Sequence, residues 1–350
     1  ILALRDRDLS PLPDLDPARA SEMFLALLRR PNIVSKRPVF RQYDHQVLAS
    51  TIIPPGGDAS LIRVPGTNRG LALTTDCNGR FCYLDPYAGA ALAVAEAARN
   101  IVCTGAWPIA VTDCLNFGNP ERPEVYFQLE QAVRGIADAC RAFGIPVVSG
   151  NVSLYNETEG RAVYPTPVIG MVGLIEDVAR HTKVGFPRAG LQVWLAGAPL
   201  EQPVESLAGS EYLEMAHGLV AGRLRVDLGA ERALLGFLLA AHEQGLLCSA
   251  HDCSEGGLAV ALAECALLGS AGFAGTATIP GRLDAALFGE SGARAVIAAE
   301  RRDAERLRAL ASAHGVPLTL LGETVSEPEF RFGPLGAMVE ALREAYEAGI

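Results

Sequence analysis

Lysine is almost missing from this sequence. Only Lys36 and Lys183 occur among 350 residues, and neither stands in a G-x-x-x-x-G-K-[ST] string. A lysine P-loop is therefore excluded as the phosphate-binding device. The G-x-G-x-x-G fingerprint of a dinucleotide-binding turn is absent too. No C-x-x-C pair occurs among the eight cysteines. Cys77 and Cys82, like Cys248 and Cys253, stand close but have no clustered His or Cys neighbours. Scattered thiols of this kind fit a reduced, cytoplasmic protein rather than a disulfide or zinc framework. No apolar run is long enough to span a bilayer. The start, Ile1 to Asp6, carries acid and lacks a signal-peptide pattern. It does not begin with Met, and a piece of a longer chain is the expectation.

Positive charge is also in deficit. The formal net charge is −10, which gives no general attraction to nucleic acid or to an anionic membrane. An anionic substrate then needs a local device: a bound cation, an arginine or backbone N–H groups.

What is present is a core. Hydrophobic residues make up 49% and charged residues 20%, as in an ordinary globular protein. The length favours two domains. Residues 1–36 read as a connector, with a helix opened by Asp16-Pro17, carrying Met23, Phe24, Leu27 and Leu28, and stopped at Pro31. Residues 37–178 form a first unit. Its predicted strands are Val47 to Ile53, Leu71 to Thr75, Pro108 to Thr112, Ile145 to Ser149 and Val168 to Leu174. Its predicted helices are Tyr87 to Val102, rich in Ala and Gly, and the amphipathic Glu124 to Phe143. Residues 187–326 form a second α/β unit, with strands that include Leu246 to Ala250 and Thr276 to Ile279. Residues 327–350 are a tail with a strand-like piece and a closing helix.

Strand, long helix, strand in the first unit predicts a parallel pair joined by a right-handed crossover. Both strands then end at one sheet edge, where ligands gather in such folds. That edge would carry two polar turns side by side. One is Asp113-Cys114-Leu115-Asn116, followed by Phe117-Gly118-Asn119-Pro120. The other is Gly150-Asn151-Val152-Ser153, followed by Leu154-Tyr155-Asn156-Glu157. A carboxylate and amides suit a hard cation bridged to phosphate. Ser153 suits a phosphate oxygen. Each turn alone also reads as an Asx-rich turn bonding its own backbone. Their pairing favours a site in which Asp113 and Asn151 converge. Asp252 and Ser254, before Gly256-Gly257, read as helix caps, and Glu290-Ser291-Gly292 as a turn between helix and strand. His251 stands alone. Asp85 is a helix cap and Asp76 a ligand-facing residue of lower rank.

These strings resemble a known family. Ser35-Lys36-Arg37 through Tyr43-Asp44-His45-Gln46-Val47, Asp85-Pro86-Tyr87, residues 110–120, residues 149–157 and Pro165-Thr166-Pro167 through Gly173 are similar to the second half of formylglycinamidine ribonucleotide synthase. The resemblance covers roughly residues 15–325 in matching order. It implies an aminoimidazole-ribonucleotide-synthetase-like (AIR synthase-like) α/β fold, with 37–178 as the N-terminal domain, which pairs into a pseudo-dimer, and 187–326 as the C-terminal domain. It implies ATP- and Mg²⁺-dependent conversion of an amide to an amidine in purine biosynthesis, by a carbon–nitrogen ligase using ammonia from glutamine. Asp113 and Gly150 match ATP contacts, Asn151 a Mg²⁺ ligand, and Ser153 a contact to formylglycinamide ribonucleotide. The catalytic histidine belongs to the first half and is not in this chain. Implied partners are that first half, a glutaminase subunit and a small accessory subunit. Asp252 and Glu290-Ser291 match the first half's site residues but sit in the copy held to be non-catalytic. A stand-alone homodimeric ATP-dependent enzyme and a non-catalytic nucleotide-binding module are the competing readings.

Overall fold

A computed structural model describes residues 2–349. The chain opens with α1 (Leu2–Arg5), α2 (Ala20–Leu28) and α3 (Arg37–Phe40). Asp16 accepts from the Ala18 N–H and Pro17 follows it, so the turn leading into α2 starts where the sequence predicts. Next come β1 (Thr51–Ile53), β2 (Ser60–Arg63), β3 (Gly70–Asp76), α4 (Gly79–Leu84), α5 (Pro86–Cys103), β4 (Trp107–Asn116), α6 (Pro123–Phe143) and β5 (Val147–Ser153). A small ribbon, β6 (Glu157–Thr158) and β7 (Arg161–Ala162), leads into β8 (Thr166–Ile175).

Six strands form one sheet in the order β1-β2-β3-β8-β4-β5. Only β4 and β5 run parallel, because α6 carries the chain back between them. The parallel pair is thus as expected, and β5 is an edge strand. Helix α5 is capped by Asp85, whose carboxylate accepts from Ala88 N–H at 3.0 Å. Its small residues let neighbours close in. A Cβ added at Gly89 would stand 2.6 Å from the Phe81 carbonyl carbon of α4, and one at Gly135 of α6 would overlap the Tyr87 carbonyl.

The second unit contains β9 (Gln192–Gly197), α7 (Glu211–His217), α8 (Leu228–Glu243), β10 (Ser249–Asp252), α9 (Gly257–Leu267), β11 (Gly272–Gly275), α10 (Leu283–Phe288), β12 (Arg294–Ala299), α11 (Ala304–Ala313), β13 (Leu318–Val325), β14 (Glu329–Phe332), β15 (Leu335–Met338) and α12 (Val339–Tyr346). Its sheet runs β10-β12-β9-β13-β11-β14-β15, antiparallel except for β11 with β14. Alternation along β9 splits the core. Trp194 and Ala196 join a cluster with α8, α11 and, across the unit boundary, α5. Val193 and Leu195 join a second cluster with α9 and α2.

Residues 1–36 do not lie apart. Phe24, Leu27 and Leu28 are buried in that second cluster, and Phe24 stands 5.3 Å from Phe330 between ring centroids. The closing helix α12 packs there too, through Leu342 and Ala345. Two expected strands are corrected. Val47–Ala49 is a 3-10 turn with Leu48 and Ala49 at positive φ, so β1 starts only at Thr51. The strand expected at Thr276–Ile279 is instead Gly272–Gly275, whose glycines admit close backbone: a Cβ at Gly272 would overlap the Glu329 carbonyl.

Candidate functional site

The two polar strings lie side by side, but not as turns. Both are strand. Their parallel register pairs Asp113 with Gly150, Cys114 with Asn151 and Asn116 with Ser153. Paired residues share a face and successive residues alternate. Asp113 and Gly150 therefore face the helix side of the sheet, with the buried Val111 and Leu115. Asn151 and Ser153 face the opposite, open side with Cys114 and Asn116. This corrects the convergence expected of Asp113 and Asn151. Strand continuation through both motifs, rather than chain reversal after them, sends the two side chains apart.

Asp113 is half-buried, and burial alone raises its carboxyl above the ordinary value. It lies toward α6, where burial, with Asp113 adding to it, pushes the Cys140 thiol up to about 11. On the open side Ser153 Oγ donates to Asn156 Oδ1 at 3.2 Å, and the Asn156 amide holds the Phe117 and Ser153 carbonyls. Asn151 is exposed at the strand edge. One amide oxygen completes a Mg²⁺ shell but does not build one. No cluster of three or more His, Cys, Asp or Glu able to hold a metal occurs among the described residues. The residues fit a contributed ligand, not a self-contained site. The open face also carries an apolar hollow of about 470 Å³, lined by Thr51, Ile62, Leu73, Thr112, Gly170 and His45.

A second polar region lies between the units. A cleft of about 730 Å³ is lined by Asp76, Glu96 and Glu255 together with Arg30, Lys36 and Arg80. Burial drives Asp76 up to about 8 despite a hydrogen bond from Thr74, and it raises Glu96 and Glu255. Asp76, read from the sequence as ligand-facing, lines this cleft. Asp252 and Ser254 do not cap α9: Gly256, at φ +79°, holds the N-cap position without a side-chain bond. Asp252 instead receives Arg99 Nε at 2.5 Å, while Arg99 Nη1 reaches Glu231 at 2.5 Å. Glu290 does sit in a turn between α10 and β12. Its Oε1 accepts the Gly256 and Glu211 N–H groups, each at 2.8 Å. His251 is neither lone nor idle. Its two ring nitrogens meet Asp58 Oδ1 at 2.6 Å and Glu264 Oε2 at 3.0 Å. Asp58 comes from the Gly56–Ala59 turn of the first unit, so nothing local in the sequence signalled the pairing.

No helix of the described residues is long and apolar enough to cross a membrane. Residues 56–175 match the model of the AIR synthase related protein N-terminal domain, and residues 188–333 that of its C-terminal domain. The phosphoribosylformylglycinamidine synthase subunit PurL of Thermomicrobium roseum is 53% identical over 319 residues, covering 89% of this chain and 43% of the relative. The corresponding subunit of Deinococcus radiodurans is 49% identical over 362 residues, covering 99% of this chain and 48% of the relative. The chain thus spans about half the length of the relatives it matches. Among solved structures, Thermotoga maritima PurL complexed with FGAR superposes with a TM-score of 0.71 at 19% identity, over 92% of this chain and 52% of that one. AaThiL complexed with AMPPCP and TMP gives 0.59 at 16% identity, over 88% and 97%. At those identities the structural likeness establishes the fold, while the matched domain models and the sequence identity establish kinship: this chain belongs to the AIR synthase related family, pairing its N-terminal and C-terminal domains, and its likeness within that family is to PurL.

Proposed function

We propose that this chain is the second half of a PurL-type phosphoribosylformylglycinamidine synthase and that it completes an active site whose catalytic histidine lies in the first half. The reaction transfers the γ-phosphoryl of ATP to the amide oxygen of formylglycinamide ribonucleotide. Ammonia, supplied from glutamine, then adds at the activated carbon and phosphate leaves. The products are the amidine, ADP and phosphate. Phosphoryl transfer of this kind rests on alignment and charge neutralisation more than on covalent help. Asp113 and Gly150 contact ATP, Ser153 contacts the ribonucleotide, and the Asn151 amide oxygen is one ligand to Mg²⁺. When bound, that ion neutralises phosphate charge, which a chain with two lysines and a net charge of −10 does not do by itself.

The observation that carries this reading is the unfinished edge. β5 ends the sheet, holds Gly150, Asn151 and Ser153, and leaves Val148 66% and Val152 55% exposed. A bare apolar edge strand is an invitation to pair or aggregate unless something covers it. Trp107, Ile109, Tyr126 and Tyr155 extend the exposed apolar surface of the same unit. The first half of the enzyme is the occupant that matches, since the PurL relatives are about twice as long. PurLQS from Thermotoga maritima is among the fold's neighbours, which supports further partner subunits; a glutaminase and a small accessory subunit are the partners this reading assigns. Localisation in the cytoplasm follows from the same assignment.

Mixing this chain with separately purified first half is expected to restore ATP- and ammonia-dependent amidine formation. Asn151→Ala should raise the Mg²⁺ concentration required, and Asp113→Ala the KM for ATP. No turnover from a well-folded, stably associated mixture would sink the assignment.

A further inference from the structure

Gly150 has no backbone reason to be glycine. It lies within β5 and its φ is outside the left-handed region. It is also exposed, so no general crowding excludes a side chain. What excludes one is Asp113. A Cβ at Gly150 would stand 2.8 Å from Asp113 Cγ and would overlap Oδ1. The carboxylate therefore occupies the space that a side chain at Gly150 would fill.

The register that makes this possible is irregular. Val111 pairs with Val147, yet the next residue, Thr112, pairs with Ser149. Val148 is an extra residue in β5, a bulge of the kind that re-aims side chains. Without it Asp113 would face Ser149 across the ladder. With it, Asp113 faces the one residue in the string that lacks a Cβ. The same device recurs one position earlier on the other side of β4. Thr112 pairs with Gly170, where an added Cβ would stand 2.8 Å from Thr112 Cγ2. Adjacent side chains of β4 are thus laid over glycines of the two neighbouring strands, one on each face.

We propose that Gly150 is a positioning residue for Asp113: the bulge at Val148 and the missing Cβ form a slot that holds the carboxylate against the strand, ready for a hydrogen-bond donor of the nucleotide. Beyond any contact its own backbone makes to the nucleotide, Gly150 acts through Asp113, because a side chain there would displace the carboxylate. This rests on the assignment of Asp113 as a nucleotide contact and specifies how that contact is built.

The test is a double-mutant cycle in the enzyme assembled from this chain and its first half. Gly150→Ala is expected to lower kcat/KM for ATP about 10²-fold, the scale of a misplacement near 1 Å. Asp113→Ala should cost as much, and D113A/G150A no more than D113A alone. A double variant whose loss is the product of the two single losses overturns the proposal. So does a G150A enzyme with wild-type kinetics where D113A is impaired. A crystal structure of the G150A chain gives a readout independent of turnover: the Asp113 carboxylate should leave β5 while the β4–β5 pairing stays. An unmoved carboxylate overturns the proposal as well. Should D113A leave ATP kinetics untouched while G150A still displaces the carboxylate, the nucleotide assignment fails and the positioning role stands.

Discussion

Replacing His251 by glutamine removes the one side chain that ties Asp58 of the first unit to Glu264 of the second. The imidazole is buried, with Nδ1 2.6 Å from Asp58 Oδ1 and Nε2 3.0 Å from Glu264 Oε2. A neutral ring has a single N–H and can satisfy only one of these. Burial is the largest influence on this group and pulls its pKa down; Asp58 and then Glu264 outweigh it, leaving His251 raised well above 6.5. The other groups bearing on the pair are the Asp252 N–H, 3.4 Å from Asp58 Oδ2, the Asp252 carboxylate, which adds negative charge beside Asp58, the Tyr346 hydroxyl on Glu264, and Lys36, whose charge acts on Glu264 from a distance. Among the described residues, no cation other than His251 pairs directly with either carboxylate. The glutamine variant leaves two carboxylates at a buried joint without their cation, a loss of about 3–5 kcal/mol. At roughly 2–4 °C per kcal/mol for units of this size, the melting midpoint should fall by at least about 6 °C. The sign with pH follows from the raised value. The stabilisation is complete below the unfolded value near 6.5 and is lost as pH rises through the folded one. Urea titrations followed by circular dichroism at pH 6 and pH 9.5 should show a gap between wild type and variant that narrows on the alkaline side. A gap that widens there, or a loss under about 1 kcal/mol at pH 6, would refute the charged clamp.

Two further outcomes are expected. Arg99→Ala strands Asp252 and Glu231, both buried and both 2.5 Å from the guanidinium, so chemical denaturation should show a loss of about 3–5 kcal/mol. Asp76 and Glu290, each raised to about 8 chiefly by burial, hold protons in the folded chain that the unfolded chain has released above pH 4–5. Stability should therefore fall as pH rises from about 5 to 8, by up to about 1.4 kcal/mol per pH unit for each group. Asp76→Asn and Glu290→Gln should each flatten that slope.

Much of the fold is legible in the sequence because its signals are local. The spacing of Leu129, Ile136 and Cys140 gives α6, and Asp85-Pro86 gives the start of α5. The parallel pair follows from the length of chain between two apolar runs. The misreadings have physical causes. Asp113 to Asn116 and Gly150 to Ser153 look like turns because Asp, Asn, Ser and Gly are turn residues, yet tertiary pairing in the sheet overrides that propensity. Asp252 looks like a cap because it precedes a helix, but a buried Arg99 from 153 positions away claims its carboxylate. His251 and Asp58 are 193 positions apart. A pairing of that separation has no signature in either segment.

The placement of Asp113 and Asn151 on opposite faces constrains how the first half completes the site. Within a sheet interior such residues never meet one ligand, since the backbone of the intervening strand separates them. Here the separating strand is β5, and β5 is the edge. A ligand group can pass around the end of an edge strand only where its outer N–H and C=O groups are free of another strand. If one nucleotide is to touch both residues, the partner must leave the stretch from Gly150 to Ser153 unpaired and cover β5 elsewhere. Val147 and Val148, apolar and exposed on the N-terminal side of that stretch, are the part of the edge left for it to cover. Lysine substitution at Val147, exposed and outside the slot that holds Asp113, should then weaken association of the two halves, measured by sedimentation, without altering nucleotide affinity in whatever fraction remains assembled. Equal loss of both would mean that the covered and the ligand-bearing parts of β5 are one surface, and that Asp113 and Asn151 serve separate ligands.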